Sequence, residues 1–109
     1  MHIAILGCGF WANYQVAGWR ELPGVNVVAV ADTNVANAQA LADRFGIGAV
    51  YGSVDDLLAH PGIDAVDVIS PPATHAELVL RCADAGVAVI CQKPMAEDLA
   101  TCQRMVAAC

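Results

Sequence analysis

The sequence predicts an α/β domain, a doubly wound parallel sheet with strand order 3-2-1-4-5. Two observations carry this. Five short apolar runs, Ile3–Leu6, Val27–Ala31, Ala49–Tyr51, Ala65–Ile69 and Val87–Cys91, are continuous rather than alternating, as suits strands covered on both faces. Between them lie segments with helical periodicity and punctuated ends, and right-handed crossovers through such helices leave few topologies for the sheet. A length of 109 residues is enough for one domain with its own core. A hydrophobic share of 58% against 15% charged fits a sheet buried on both sides, or a surface that a partner covers.

The first helix reads from Trp11 to Leu22 and is closed by Pro23-Gly24. The second runs from Val35 to Phe45, between a capping Asn34 and Gly46. Ser53, with Asp56 three residues on, opens a short helix that stops before Pro61-Gly62. Thr74-His75-Ala76-Glu77 has the form of a capping box, opening a fourth helix that ends at Gly86 in a left-handed cap. Leu99, Cys102, Val106 and Cys109 recur at helical spacing, so the last helix ends on an apolar stripe without a following cap. Such a stripe, or an apolar sheet edge, left uncovered predicts self-association.

Several function classes are excluded by composition. The formal charge is −6 and the five cations are scattered, whereas a nucleic-acid footprint needs clustered Lys and Arg. No apolar run approaches the roughly 20 residues that cross a bilayer, and a first strand beginning at His2 leaves no room for a signal peptide. The five cysteines, Cys8, Cys82, Cys91, Cys102 and Cys109, are odd in number and form no C-x-x-C pair. A reduced, cytoplasmic protein is expected, without a disulfide framework or a metal site.

The chemistry begins at Gly7-Cys8-Gly9-Phe10-Trp11-Ala12, a G-x-G-x-x-A turn directly after the first strand. Gly7 permits the tight turn, Gly9 lets the backbone approach a pyrophosphate, and Ala12 allows close packing of helix on strand. The helix N-terminus then presents unpaired N–H groups to the phosphates. This is the Rossmann dinucleotide signature in its required context. Asp32 ends the second strand at the separation expected of the acid that holds an adenosine ribose through both hydroxyls. Asn34 already fills the capping position that would otherwise explain it. Neither Thr33, Asn34 nor Val35 is a cation that could receive a 2′-phosphate, so NAD is favoured, with NADP as the alternative.

After the fourth strand, Ser70-Pro71-Pro72 forms a stiff loop able to lie against a flat ring, near the nicotinamide-ribose half of the cofactor. His75, close behind it, is either a member of that wall or a helix-surface residue without function. His2 and His60 read as structural or exposed. Trp11 and Trp19 read as packing residues, with Trp11 also placed to flank the cofactor. After the fifth strand comes Cys91-Gln92-Lys93-Pro94, and Lys93 is the only lysine in the sequence.

Together these pieces resemble the Gfo/Idh/MocA family, which includes glucose–fructose oxidoreductase and inositol dehydrogenase. The residues that carry the resemblance are the Gly7–Ala12 turn, Ala31-Asp32, Ile63-Asp64-Ala65-Val66, Ser70-Pro71-Pro72 with His75, Ala85-Gly86-Val87 and Lys93-Pro94. The resemblance spans residues 1–109. It implies an NAD(P)-dependent oxidoreductase that moves hydride to or from a sugar, polyol or related carbonyl compound. It also implies that Lys93 is the catalytic residue, near the nicotinamide and the reacting oxygen, where an ammonium stabilises developing alkoxide and relays a proton. Gln92 stands where the family usually has Glu, which removes an adjacent carboxylate that would favour the charged lysine.

Members of that family continue into a second α/β domain that holds the substrate. Residues 1–109 are therefore expected to be the dinucleotide-binding domain alone, without the C-terminal substrate domain, and inactive by themselves. Two competing readings remain: a non-catalytic module that senses NAD or serves as a scaffold, and a reductase of the dihydrodipicolinate type. The Lys-Pro element after the fifth strand argues against the latter.

Overall fold

The structure, a computed structural model, describes all residues from Met1 to Cys109. Five parallel strands form one sheet in the order β3-β2-β1-β4-β5, the predicted topology. They are β1 (His2–Leu6), β2 (Asn26–Ala31), β3 (Ala49–Tyr51), β4 (Ala65–Val68) and β5 (Ala88–Cys91). The helices are α1 (Phe10–Arg20), α2 (Val35–Phe45), α3 (Val54–Leu58), α4 (Pro72–Asp84) and α5 (Leu99–Ala108). None of them is long and apolar enough to cross a membrane.

Alternation along the strands divides the core into two layers. Ile3, Ile5 and Val30 pack with Ala12 and Val16 of α1 and Leu41 of α2 on one face. Ala4, Leu6, Val66 and Val68 pack with Val79 of α4 and Met105 of α5 on the other. Covering both faces is why the strands read as continuous apolar runs. Four residues of β4 are buried, and one of them, Asp67, is an acid with no exposed surface.

Several element ends differ from the sequence reading, each for a local reason. The first helix begins one residue early, at Phe10, and stops at Arg20, because Leu22 precedes Pro23 and is steered away from helical geometry. The capping box at Thr74 does not form. Pro72 starts α4 instead, its missing N–H and fixed φ suiting the first helical position, and this moves Thr74 into the first turn. Its hydroxyl oxygen lies 2.6 Å from Ser70 Oγ and 2.7 Å from the Pro71 carbonyl, while Glu77 reaches Arg81 at 3.6 Å.

The expected caps at Asn34, Ser53 and the left-handed Gly46 and Gly86 are present. Asp98, an unforeseen cap, accepts the Thr101 N–H at 2.8 Å and starts α5. That helix turns Met105 into the core and leaves Leu99 and Val106 of the predicted stripe 73% and 65% exposed.

Candidate functional site

The loops that leave β1, β2 and β4 meet at the carboxyl edge of the sheet, where the strand order reverses between β1 and β4. In open α/β sheets this switch point is where ligands bind. Here it opens into a cavity of about 710 Å³. Gly7, Gly9, Phe10, Trp11, Asp32 and Thr33 line one side. Ile69, Ser70 and Pro71 line the other.

Gly7 and Gly9 serve different ends. Gly7 has φ +97, and a Cβ there would stand 2.6 Å from the Ser70 nitrogen and 2.8 Å from the Ile69 carbonyl carbon. Its missing side chain therefore lets the β1–α1 turn and the β4–α4 loop touch, which closes the floor of the crevice. Gly9 has ordinary extended backbone, φ −77 and ψ −164, and a Cβ there would meet nothing within 4 Å. Gly9 faces open space instead, at the head of an eleven-residue helix with no acidic residue in its first turn and no side-chain cap. An anion placed there meets free N–H groups and the positive end of the helix dipole.

Asp32 is tied to that turn. Its Oδ2 accepts the Cys8 N–H at 2.8 Å and its Oδ1 accepts the Asn34 N–H at 2.8 Å, fixing the carboxylate at the end of β2. Each oxygen keeps a lone pair for a further donor. Cys8, between the two glycines, is buried with its thiol donating to the Ala31 carbonyl at 3.3 Å. Burial, helped by the nearby Asp32 charge, pushes that thiol up to about 12, so it is a packing residue rather than a nucleophile.

The cavity also has walls that the sequence reading missed. Asn37 on α2, Gly52 and Ser53 after β3, and Leu78 and Arg81 on α4 all face it. The signal was present: Pro71, Thr74, Leu78 and Arg81 are spaced three and four apart and so share one face of a helix. Arg81 Nη2 donates to both carboxylate oxygens of Asp55 at 2.8 Å, and its Nη1 lies 3.6 Å from Glu77. Two carboxylates thus offset the one cation on the cavity wall.

Pro72, His75, Gln92, Lys93 and Pro94 do not line this cavity, and neither does Ala12, which is buried in the core beneath α1. His75 is buried rather than on the helix surface. Its Nε2 lies 2.7 Å from the Ser70 carbonyl, and its Nδ1 lies 3.0 and 3.2 Å from the carbonyls of Pro94 and Met95. It braces the loop after β4 against the segment after β5. Gln92 points its amide at Asp67, 3.0 Å away. Lys93 is exposed, forms no salt bridge, and precedes a cis proline at the edge of the sheet next to β4. Asp32 and Lys93 thus follow β2 and β5, three strand spacings or about 14 Å apart across the sheet. No group of three His, Cys, Asp or Glu side chains is placed to hold a metal.

Residues 1–109 match the profile of a family described as an oxidoreductase family with an NAD-binding Rossmann fold. D-apiose dehydrogenase of Paraburkholderia graminis is 39% identical over 106 residues, which cover 97% of this chain but 28% of that enzyme. Inositol 2-dehydrogenase 1 of Saccharopolyspora erythraea is 41% identical over 109 residues, covering 98% of the chain and 32% of the relative. Among solved structures, an Agrobacterium radiobacter oxidoreductase in complex with NAD+, L-tartaric acid and magnesium superposes with a TM-score of 0.96 at 35% identity. That match covers 100% of this chain and 32% of the other. The Lactobacillus casei myo-inositol dehydrogenase, solved with NAD(H) and myo-inositol, gives 0.92 at 31% identity, covering 99% and 32%. The chain spans about a third of the length of these relatives, and along all of its own residues it belongs to the Gfo/Idh/MocA oxidoreductase family, as the NAD-binding Rossmann domain.

Proposed function

We propose that this chain binds NAD in the crevice between Gly9 and Ser70. It would supply the cofactor half of an oxidoreductase acting on a sugar, polyol or related CH–OH or carbonyl compound. The observation that carries the reading is the open cradle at Gly9, set on a helix N-terminus with Asp32 fixed beside it. Bound there, the dinucleotide supplies the hydride acceptor or donor. The Phe10 and Trp11 N–H groups would receive its pyrophosphate, and the free lone pairs of Asp32 its adenosine ribose. Ser70 and Pro71 would form the wall toward the nicotinamide, with Pro72 and His75 supporting that wall from behind.

Lys93 is the proposed acid–base group. Its ammonium is unpaired, follows the strand next to β4, and would lie beside a substrate oxygen at the nicotinamide end. The substrate itself would be held by a domain outside these 109 residues, in keeping with the greater length of the relatives. The dehydrogenases of apiose and inositol among those relatives support the substrate class. NAD is favoured over NADP because Asp32 carries a negative charge where a 2′-phosphate would fall, and because Arg81 is already engaged by Asp55 and Glu77.

Calorimetric titration of the chain with NADH and NADPH tests this. Saturable binding with NADH tighter than NADPH is expected. Absence of saturation with either would overturn the reading, and binding unchanged by the 2′-phosphate would overturn the role given to Asp32.

A further inference from the structure

Asp67 is the only acid in the core. It lies in β4 with no exposed surface, paired with Ile5 of β1 on one side and Ile90 of β5 on the other. Its carboxylate meets no cation, since every salt bridge in the chain belongs to Arg81. It accepts from two neutral donors instead, Trp19 Nε1 at 2.7 Å and Gln92 Nε2 at 3.0 Å. A carboxyl group buried among isoleucines is costly unless it is hydrogen-bonded, so its bonds must be made in full. Both donors lie far from Asp67 in sequence. Trp19 is on the helix that follows the glycine turn, and Gln92 is the residue immediately before the sole lysine.

The segment around Lys93 is therefore held at both ends. Before it, the Gln92 side chain is bonded to Asp67 and the Gln92 N–H donates to the Val68 carbonyl at 3.1 Å. After it, the carbonyls of Pro94 and Met95 meet His75, whose other ring nitrogen meets Ser70. Between these anchors Lys93 makes no hydrogen bond, so its backbone is fixed while its ammonium stays free. The polarity of the tether explains Gln at position 92. An amide donates to a carboxylate, whereas Gln92→Glu would set two carboxylates against each other across 3.0 Å.

We infer that Asp67 and Gln92 are positioning residues, a buried tether that fixes where Lys93 leaves the sheet. The functional meaning of this rests on the proposed place of Lys93 beside the nicotinamide, but the tether itself can be tested apart from it.

The sole lysine makes the test direct, because lysine labelled with 13C at Cε and 15N in the backbone gives one side-chain and one backbone signal. These are followed in wild type, Gln92→Glu, Gln92→Ala and the exchanged pair Gln92→Glu/Asp67→Asn. In the pair, the new amide at 67 donates to the new carboxylate at 92 and still accepts from Trp19. Without ligand, both single variants should displace the Lys93 signals and the pair should return them to near wild-type positions. The difference in Lys93 response between NAD+ and ADP-ribose should be lost and recovered in the same pattern.

The inference is overturned if either single variant folds and leaves the Lys93 signals unmoved. A pair that is less stable than Gln92→Glu, or that folds without restoring the signals, also overturns it. If Gln92→Glu does not fold, Gln92→Ala and the pair decide. A wild-type Lys93 that ignores NAD+ while the Gly9 amide responds would refute its place beside the nicotinamide, leaving the ligand-free comparison to decide the tether.

Discussion

Gly7 and Gly9 lie two residues apart in one turn, yet alanine at each should fail in opposite ways. At Gly7 the backbone has φ +97, and the added carbon would stand 2.6 Å from the Ser70 nitrogen. A positive φ costs an L-residue about 1–2 kcal/mol, and forcing packed backbone aside costs about 1–3 more. Gly7→Ala should thus lose about 2–5 kcal/mol, which for a domain near this size lowers Tm by roughly 10 °C or more.

At Gly9 the backbone is ordinary and the added carbon meets nothing within 4 Å. The gain of about 0.4–1 kcal/mol from a stiffer unfolded chain is offset by the poorer helix cap that Ala makes, so stability should hardly change. The carbon would, however, occupy the space assigned to the pyrophosphate. NADH affinity should fall by about tenfold or more, a loss of at least about 1.4 kcal/mol. Thermal melts followed by circular dichroism and NADH fluorescence titrations read the two effects separately. A Gly9→Ala protein that binds NADH as wild type does would rule out a pyrophosphate cradle at Gly9, and one that melts as early as Gly7→Ala would show that its backbone is not ordinary.

Asp32→Ser should weaken NADH binding about ten- to a hundredfold, the worth of charge-assisted bonds to the ribose hydroxyls, while NADPH loses less because the repelling carboxylate is gone. Parallel titrations with the two cofactors check this. Cys8 and Cys82, pushed up to about 12 and about 11 mainly by burial, should resist iodoacetamide at about pH 8 while the exposed Cys109 is alkylated, as peptide mass spectrometry would show. The same shifts give a sign for alkaline stability. The folded thiols hold their protons more tightly than the ordinary value of 9.0, so their contribution is complete below about pH 9. It is lost as pH rises from there toward about 12, and denaturant midpoints should decline over that range.

The sheet was legible because its central strands, β1 and β4, are buried on both faces and the edge strands β3 and β5 are still half-buried, which leaves continuous apolar runs in the sequence. Its order followed from the glycine turn and the handedness of crossovers. Gly7 and Asp32 were legible as well, Gly7 because the positive-φ turn demands glycine and Asp32 because it ends a strand, whereas Gly9 was legible only through the G-x-G-x-x-A pattern, its own backbone being ordinary. The start of α4 was not. Two signals compete there, and proline at the first helical position wins over a Thr–Glu capping pair two residues later.

The remaining walls of the crevice come from contacts between distant segments. Ser53 and Arg81 reach the cavity only once β3 and α4 are docked. Asp67 was the hardest to read: an acid inside an apolar strand acquires a meaning only beside Trp19 and Gln92, 48 and 25 residues away. His75 likewise turned from a surface candidate into a buried brace when the segment after β5 folded over it.

If the carboxyl edge at the β1–β4 switch point is the NAD site, its backbone amides must respond to the cofactor. Backbone amide NMR of the 15N-labelled chain during NAD+ titration reads this response residue by residue. Saturating shifts are expected at Gly7 to Trp11, Asp32 to Asn34 and Ile69 to Ser70. None is expected at the opposite edge, around Asn26 and Gly46. Shifts that map to that opposite edge, or no saturating shifts at all, would contradict that site.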